Sequence, residues 1–260
     1  MHPRRVEMGR YRVLTKALSI GRHTDGERRR VNLARALRAA ASLRASHVVL
    51  SGDLTEMGHE VEFEVLAELL HEAGFPEDAI TLVPGNHDHY TRGAWARAMA
   101  GPLRAFARAS AAGERAGSVV EREDAVFFPL DSTIFQSVLL SRGTFDEAMA
   151  RVLEGRFSDV AFRDKALVLV MHHPPYSYWK APLRRFFDRL DGHETVQGML
   201  VRHERVQVLH GHLHDAEVLA SGLPTLTKGR IFRAPAVVDD EAEPRVQLYD
   251  VIEGGLKLVA

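Results

Sequence analysis

Cysteine is absent from the chain, which excludes disulfide frameworks, thiolate zinc sites and cysteine nucleophiles. Any bound metal must then be held by His, Asp, Glu or Asn. Long apolar runs are missing too: no stretch of about 18 apolar residues occurs, so no membrane span is expected. The opening MHPRRVEMGRYRV carries no apolar segment of the kind that marks a secretory signal. A cytoplasmic location is the expectation. Charge of one sign is also lacking, with 34 Lys and Arg against 35 Asp and Glu. That balance gives no general pull toward a nucleic-acid polymer or an anionic membrane, so anion binding has to be local. What is there suffices for a full core: 260 residues, 45% of them apolar.

The spacing of Val31, Leu33, Leu37, Ala40, Ala41 and Leu43 predicts an amphipathic helix over 31–45. Val48-Val49-Leu50 follows as a short strand ending at Ser51-Gly52-Asp53. A second helix is written by Val61, Val65, Leu66, Leu69, Leu70 and Ala73, closed by Gly74 and Pro76. The strand at 80–83 again ends in a glycine turn. Ala and Arg at helical spacing fill 92–160, interrupted by a strand-like run at 125–130. Two further strands, 166–171 and 206–209, stop at His172 and at His210-Gly211-His212. From 217 onward short β-like runs alternate with Gly and Pro, as antiparallel strands do. The repeated order of strand, polar cluster and helix predicts an α/β sandwich with its functional groups at the carboxyl ends of strands.

Four polar clusters follow directly on these strands: Gly52-Asp53, Gly85-Asn86-His87-Asp88, His172-His173-Pro174-Pro175 and Gly211-His212-Leu213-His214. A glycine at a strand end lets the chain turn sharply, so that the next side chain points into the crevice. The i, i+2 spacing of His212 and His214 sends both imidazoles to one side of an extended segment. A carboxylate such as Asp53 can bridge two cations, and Asn86 offers a neutral carbonyl oxygen. Mixed nitrogen and oxygen ligation suits Zn, Mn or Fe better than Ca or Mg.

The four clusters, in this order and each after a strand, resemble the calcineurin-like metallophosphoesterase family. The nearest branch is its bacterial cyclic-nucleotide-phosphodiesterase-like one, and the likeness spans roughly 48–215. The resemblance implies a single domain over 1–260 built as a four-layer α-β-β-α sandwich, with 1–30 an irregular or helical insertion and 216–260 the β-rich C-terminal part of the second sheet. It implies two divalent metal ions, Mn, Fe or Zn, with Asp53 as the bridging ligand. Asn86, His172 and His212 match the other ligands of the second metal, and His214 matches a first-metal ligand. His87 matches the histidine that contacts phosphate and serves as general acid, with Asp88 orienting it. The implied activity is hydrolysis of a phosphodiester or phosphomonoester by metal-activated hydroxide, on a small phosphate-ester substrate. His89, His173 and Tyr176 stand beside these clusters as candidates for outer contacts or substrate contacts. For Tyr176 packing against the Arg184-Arg185-Phe186-Phe187 helix is the favoured reading, and Glu56 reads either as an outer contact or as a carboxylate at a helix N-terminus.

One departure stands out. The family opens with a strand ending in Asp-x-His, two ligands of the first metal, and no such strand precedes Gly52-Asp53 here. Gly21-Arg22-His23 after Leu18-Ser19-Ile20 is the nearest substitute, with glycine in the place of the acid. The favoured expectation is a sequence that starts downstream of that strand; natural degeneration of the motif is the alternative. Either way the first metal site is expected to be weak or empty. A binding protein on the same scaffold, impaired or inactive in catalysis, therefore competes with the hydrolase reading. Substrate identity and oligomeric state stay open.

Overall fold

In the computed structural model the described residues are 26–112, 115–178, 186–213, 217–218, 230–237 and 246–259. Helix α1 (Gly26–Ser42) starts ahead of the predicted span. It delivers the chain to β1 (Val48–Leu50), and α2 (Glu60–Glu72) carries it on to β2 (Ile80–Leu82). Glu62 starts α2 firmly: its carboxylate accepts from the backbone N–H of the N-cap residue His59 at 2.8 Å and from those of Glu56 and Met57 in the loop before it at 3.0 and 3.2 Å. β1 and β2 pair in parallel, Val48 beside Ile80, as a two-stranded sheet.

Among the described residues the second sheet has six strands. In space they run β3 (Val120–Glu121), β4 (Ala125–Pro129), β6 (Ala166–Met171), β8 (Val206–His210), β10 (Ile231–Arg233) and β9 (Glu217–Val218). β4, β6, β8 and β10 are parallel to their neighbours in that series. β10 departs from the antiparallel reading of the tail, because Gly and Pro mark where strands end and carry no information about direction. β9 against β10, and the hairpin of β11 (Tyr249–Ile252) with β12 (Gly255–Leu258), do run antiparallel. A small parallel pair, β5 (Gly143–Thr144) with β7 (Leu190–Asp191), lies apart.

Residue alternation along the strands sets the layers. Val126, Phe128, Leu167, Leu169 and Met171 face one core with α4 (Glu147–Phe157) and α5 (His193–Arg202). Phe127, Val168 and Val170 face the other way, into a core shared with Val83, Val49 and Leu209 between the two sheets. A third core joins Leu37 of α1, Phe63, Leu66 and Leu70 of α2, and Ile80 and Leu82 to α3 (Ala94–Ala100). The result is an α-β-β-α sandwich; among the described residues the first sheet has two parallel strands and the second is mixed. The helical middle is shorter than its Ala and Arg content predicts. α3 stops at Ala100 because Gly101-Pro102 follows, and proline cannot continue the ladder. Among the described residues no helix is long and apolar enough to cross a membrane.

Candidate metal centre

β1, β2, β6 and β8 each release the chain at one rim, and the turns that follow are tightly built. Gly52 turns at φ 99°, and a Cβ there would lie 2.3 Å from His172 Nδ1. A Cβ on Gly85 would lie 2.1 Å from Asp53 Oδ1. Asp53 and His212 are themselves left-handed, at φ 54° and 72°. Side-chain-bearing residues adopt that conformation at a cost of about 1–3 kcal/mol, and such residues concentrate at functional sites.

These turns bring Asp53, His172 and His212 together, with one ligand atom from each within 4.8 Å of the others. His172 Nε2 stands 3.4 Å from Asp53 Oδ1 and 3.1 Å from His212 Nδ1. The far nitrogen of each ring is committed elsewhere. His172 Nδ1 meets the Ser51 carbonyl at 2.7 Å, and His212 Nε2 meets Asp188 Oδ1 at 2.6 Å. Both partners only accept, so the far nitrogens carry the protons. His172 Nε2 and His212 Nδ1 then face each other with lone pairs, beside a carboxylate. Such an arrangement repels itself unless a positive charge is shared among the three groups, and a divalent cation meets that need. Asn86 adds a second sign of fit. Its side-chain nitrogen donates to the Tyr90 hydroxyl at 2.7 Å, while its Oδ1 is buried with no hydrogen-bond partner. The residues present thus fit a bound cation.

The protein's own groups register the same demand for positive charge. Burial alone would raise the Asp53 carboxyl, but His172, and after it His87, hold it well below the usual carboxylate range. Burial alone would lower His172, and the Asp53 carboxylate overrides it and raises the imidazole. His212 is lowered by burial, with the Asp188 hydrogen bond opposing.

The remaining candidates divide. His87 Nδ1 sits 2.8 Å from the Glu56 carbonyl and Nε2 4.0 Å from Asp53 Oδ2. The group that orients His87 is therefore the Glu56 backbone. The Asp88 carboxylate instead accepts from Leu54 N, Thr55 N, Thr55 Oγ1 and Gly85 N at 3.1, 2.9, 2.8 and 2.8 Å, tying two loops together. Burial, with Asp53 adding to it, pushes Asp88 up to about 6. The Glu56 carboxylate pairs with Arg29, and α2 begins at Glu60, so Glu56 does not sit in a first helical turn. Tyr176 belongs to the core, its hydroxyl 3.3 Å from His210 Nε2. His173 is fully buried against Ser132 Oγ at 2.8 Å, and burial holds it well below its usual value. His89 Nε2 lies 3.5 Å from Asp131 Oδ2. His23 and His214 lie outside the described residues. Asp188 escaped the sequence reading: it follows no strand and belongs to no recognisable cluster.

Hydrolysis by metal-activated hydroxide, the principal expectation from sequence, is corrected by this geometry. Among the described residues a single three-ligand cluster forms, one of the two cation sites expected, with no second such group. The fold is similar to the crystal structure of a dimetal phosphatase from Danio rerio, with a TM-score of 0.66 and 16% identity, over 85% of this chain and 81% of that one. No curated protein matches the sequence significantly. The calcineurin-like phosphoesterase family matches residues 20–216, a span that takes in the strands of both sheets from β1 to β8 and all four polar clusters. By that match the chain belongs to the calcineurin-like phosphoesterase family.

Proposed function

We propose that this chain is a catalytically impaired member of its family, a binding protein that holds one divalent cation and, through it, a small phosphate-bearing ligand. The observation that carries this reading is the cluster of Asp53, His172 and His212, the one such group among the described residues. Asn86, with its unpartnered Oδ1, would complete the ligand set. When bound, a Mn, Fe or Zn ion supplies a Lewis-acidic anchor for a phosphoryl oxygen. His87, with Nδ1 committed to the Glu56 carbonyl, would use Nε2 toward a phosphate oxygen. The Gly85-Asn86-His87-Asp88 and Gly211-His212-Leu213-His214 pattern favours the bacterial cyclic-nucleotide-phosphodiesterase-like branch, and with it a small diester as the ligand.

Two assays on the purified chain test this. With saturating Mn, bis(p-nitrophenyl) phosphate should turn over at background, while inorganic phosphate binds in a cation-dependent manner by calorimetry. Turnover at about 1 s⁻¹ or faster, the lower end of ordinary enzymes, would overturn the proposal.

A further inference from the structure

We infer that Asp188 is the positioning residue of the cation site, fixing through His212 which imidazole nitrogen is offered to the metal. The inference rests on the cation-binding reading above, and its test separates the two. Asp188 Oδ1 lies 2.6 Å from His212 Nε2, and the Tyr178 hydroxyl donates to the same oxygen. The three residues come from different stretches: Tyr178 after β6, Asp188 before β7, His212 after β8. Asp188 is held from both sides by backbone. The Phe187 carbonyl accepts from Ser141 N at 2.9 Å, and the Arg189 carbonyl accepts from Gly143 N at 2.8 Å. The carboxylate is thus fixed before any ligand arrives.

A carboxylate only accepts, so the proton of a neutral His212 must sit on Nε2 and leave Nδ1 as the lone pair facing His172. Remove the acceptor and the balance reverses. His172 Nε2, 3.1 Å from His212 Nδ1, then stands as an acceptor within reach of the ring. The proton then moves to Nδ1 and occupies the nitrogen a cation needs.

The test uses ¹⁵N-labelled, chelated protein and long-range ¹H–¹⁵N spectra of the imidazoles, followed by Mn titration. Wild type and Asp188→Asn, which keeps an acceptor, should both show His212 protonated on Nε2. Asp188→Ala should show the proton on Nδ1, with Mn affinity weaker by about 10–100-fold and largely retained in Asp188→Asn. The Asp188 side chain is about one-fifth exposed, so Ala leaves the cores intact; Asp188→Leu gives the same readout should Ala fail to fold. An unchanged His212 tautomer in Asp188→Ala, or Mn affinity within twofold of wild type, would overturn the inference. If wild type binds no Mn but the tautomer moves as stated, the cation reading falls while the role of Asp188 in placing the proton stands.

Discussion

Replacing Asp88 by alanine separates two roles that sequence alone cannot tell apart, an aid to His87 and a pin between loops. Its carboxylate is fully buried and takes four hydrogen bonds, three from the backbone N–H groups of Leu54, Thr55 and Gly85 and one from the Thr55 hydroxyl. In Asp88→Ala the hydroxyl can rotate, but the three N–H groups lose their acceptor. Each orphaned buried donor costs about 1–3 kcal/mol. A water entering the vacated space would recover part of this, leaving a loss of about 3–5 kcal/mol. Against a typical total of about 5–15 kcal/mol that is a large fraction, and it corresponds to a melting temperature lower by about 6–20 °C for a chain of this class. Asp88→Asn should fare little better, since its NH₂ would face two backbone N–H groups. Urea denaturation followed by circular dichroism, with thermal melts alongside, measures both variants. A loss below about 1 kcal/mol in Asp88→Ala would refute the pin and restore a role confined to His87.

Two further outcomes follow from particular contacts. Gly85→Ala places a methyl 2.1 Å from Asp53 Oδ1 and 2.2 Å from Asp53 N, so the carboxylate must move; cation affinity by calorimetry should fall about 100-fold or more while the far-ultraviolet circular dichroism is kept. His47 is half-buried between the Thr81 hydroxyl at 2.9 Å and Arg122 Nε at 3.1 Å, and stacks on Phe127 at 4.2 Å. Burial, with the Arg122 charge second, lowers its pKa to about 3. The unfolded chain therefore takes up a proton below about 6.5 that the folded chain refuses until about 3, so this contribution is full above 6.5 and is lost as pH falls through that window. Between pH 7 and pH 5 it amounts to about 2 kcal/mol. Denaturation at the two pH values should show that loss in wild type and a smaller one in His47→Gln; equal slopes would contradict the assignment.

The strands that position the site were legible because each is a short apolar run cut off by a polar turn. Val48–Leu50 and Ala166–Met171 fall where their sequence puts them, and the clusters after them reach one rim. Asp53, His172 and His212 were legible as a ligand set because their residue types leave few other uses at strand ends. The roles that came through backbone were not legible. The Ser51 and Glu56 carbonyls orient His172 and His87, and any residue type carries a carbonyl. Asp188 was hidden for a related reason, since its value depends on a loop brought to His212 by pairing with residues 141–143, which no periodicity records. For Tyr176 the sequence favoured packing over a ligand contact, and its place in the core, with its hydroxyl at His210, agrees with packing.

The central claim is one cation rather than two. Native mass spectrometry of the purified chain, equilibrated with Mn or Zn and then desalted, counts the retained ions directly. The account predicts a single ion per chain, lost in Asp53→Asn, where the neutral amide no longer supplies the negative charge that holds the cation beside the two imidazoles. Two tightly held ions per chain would contradict it.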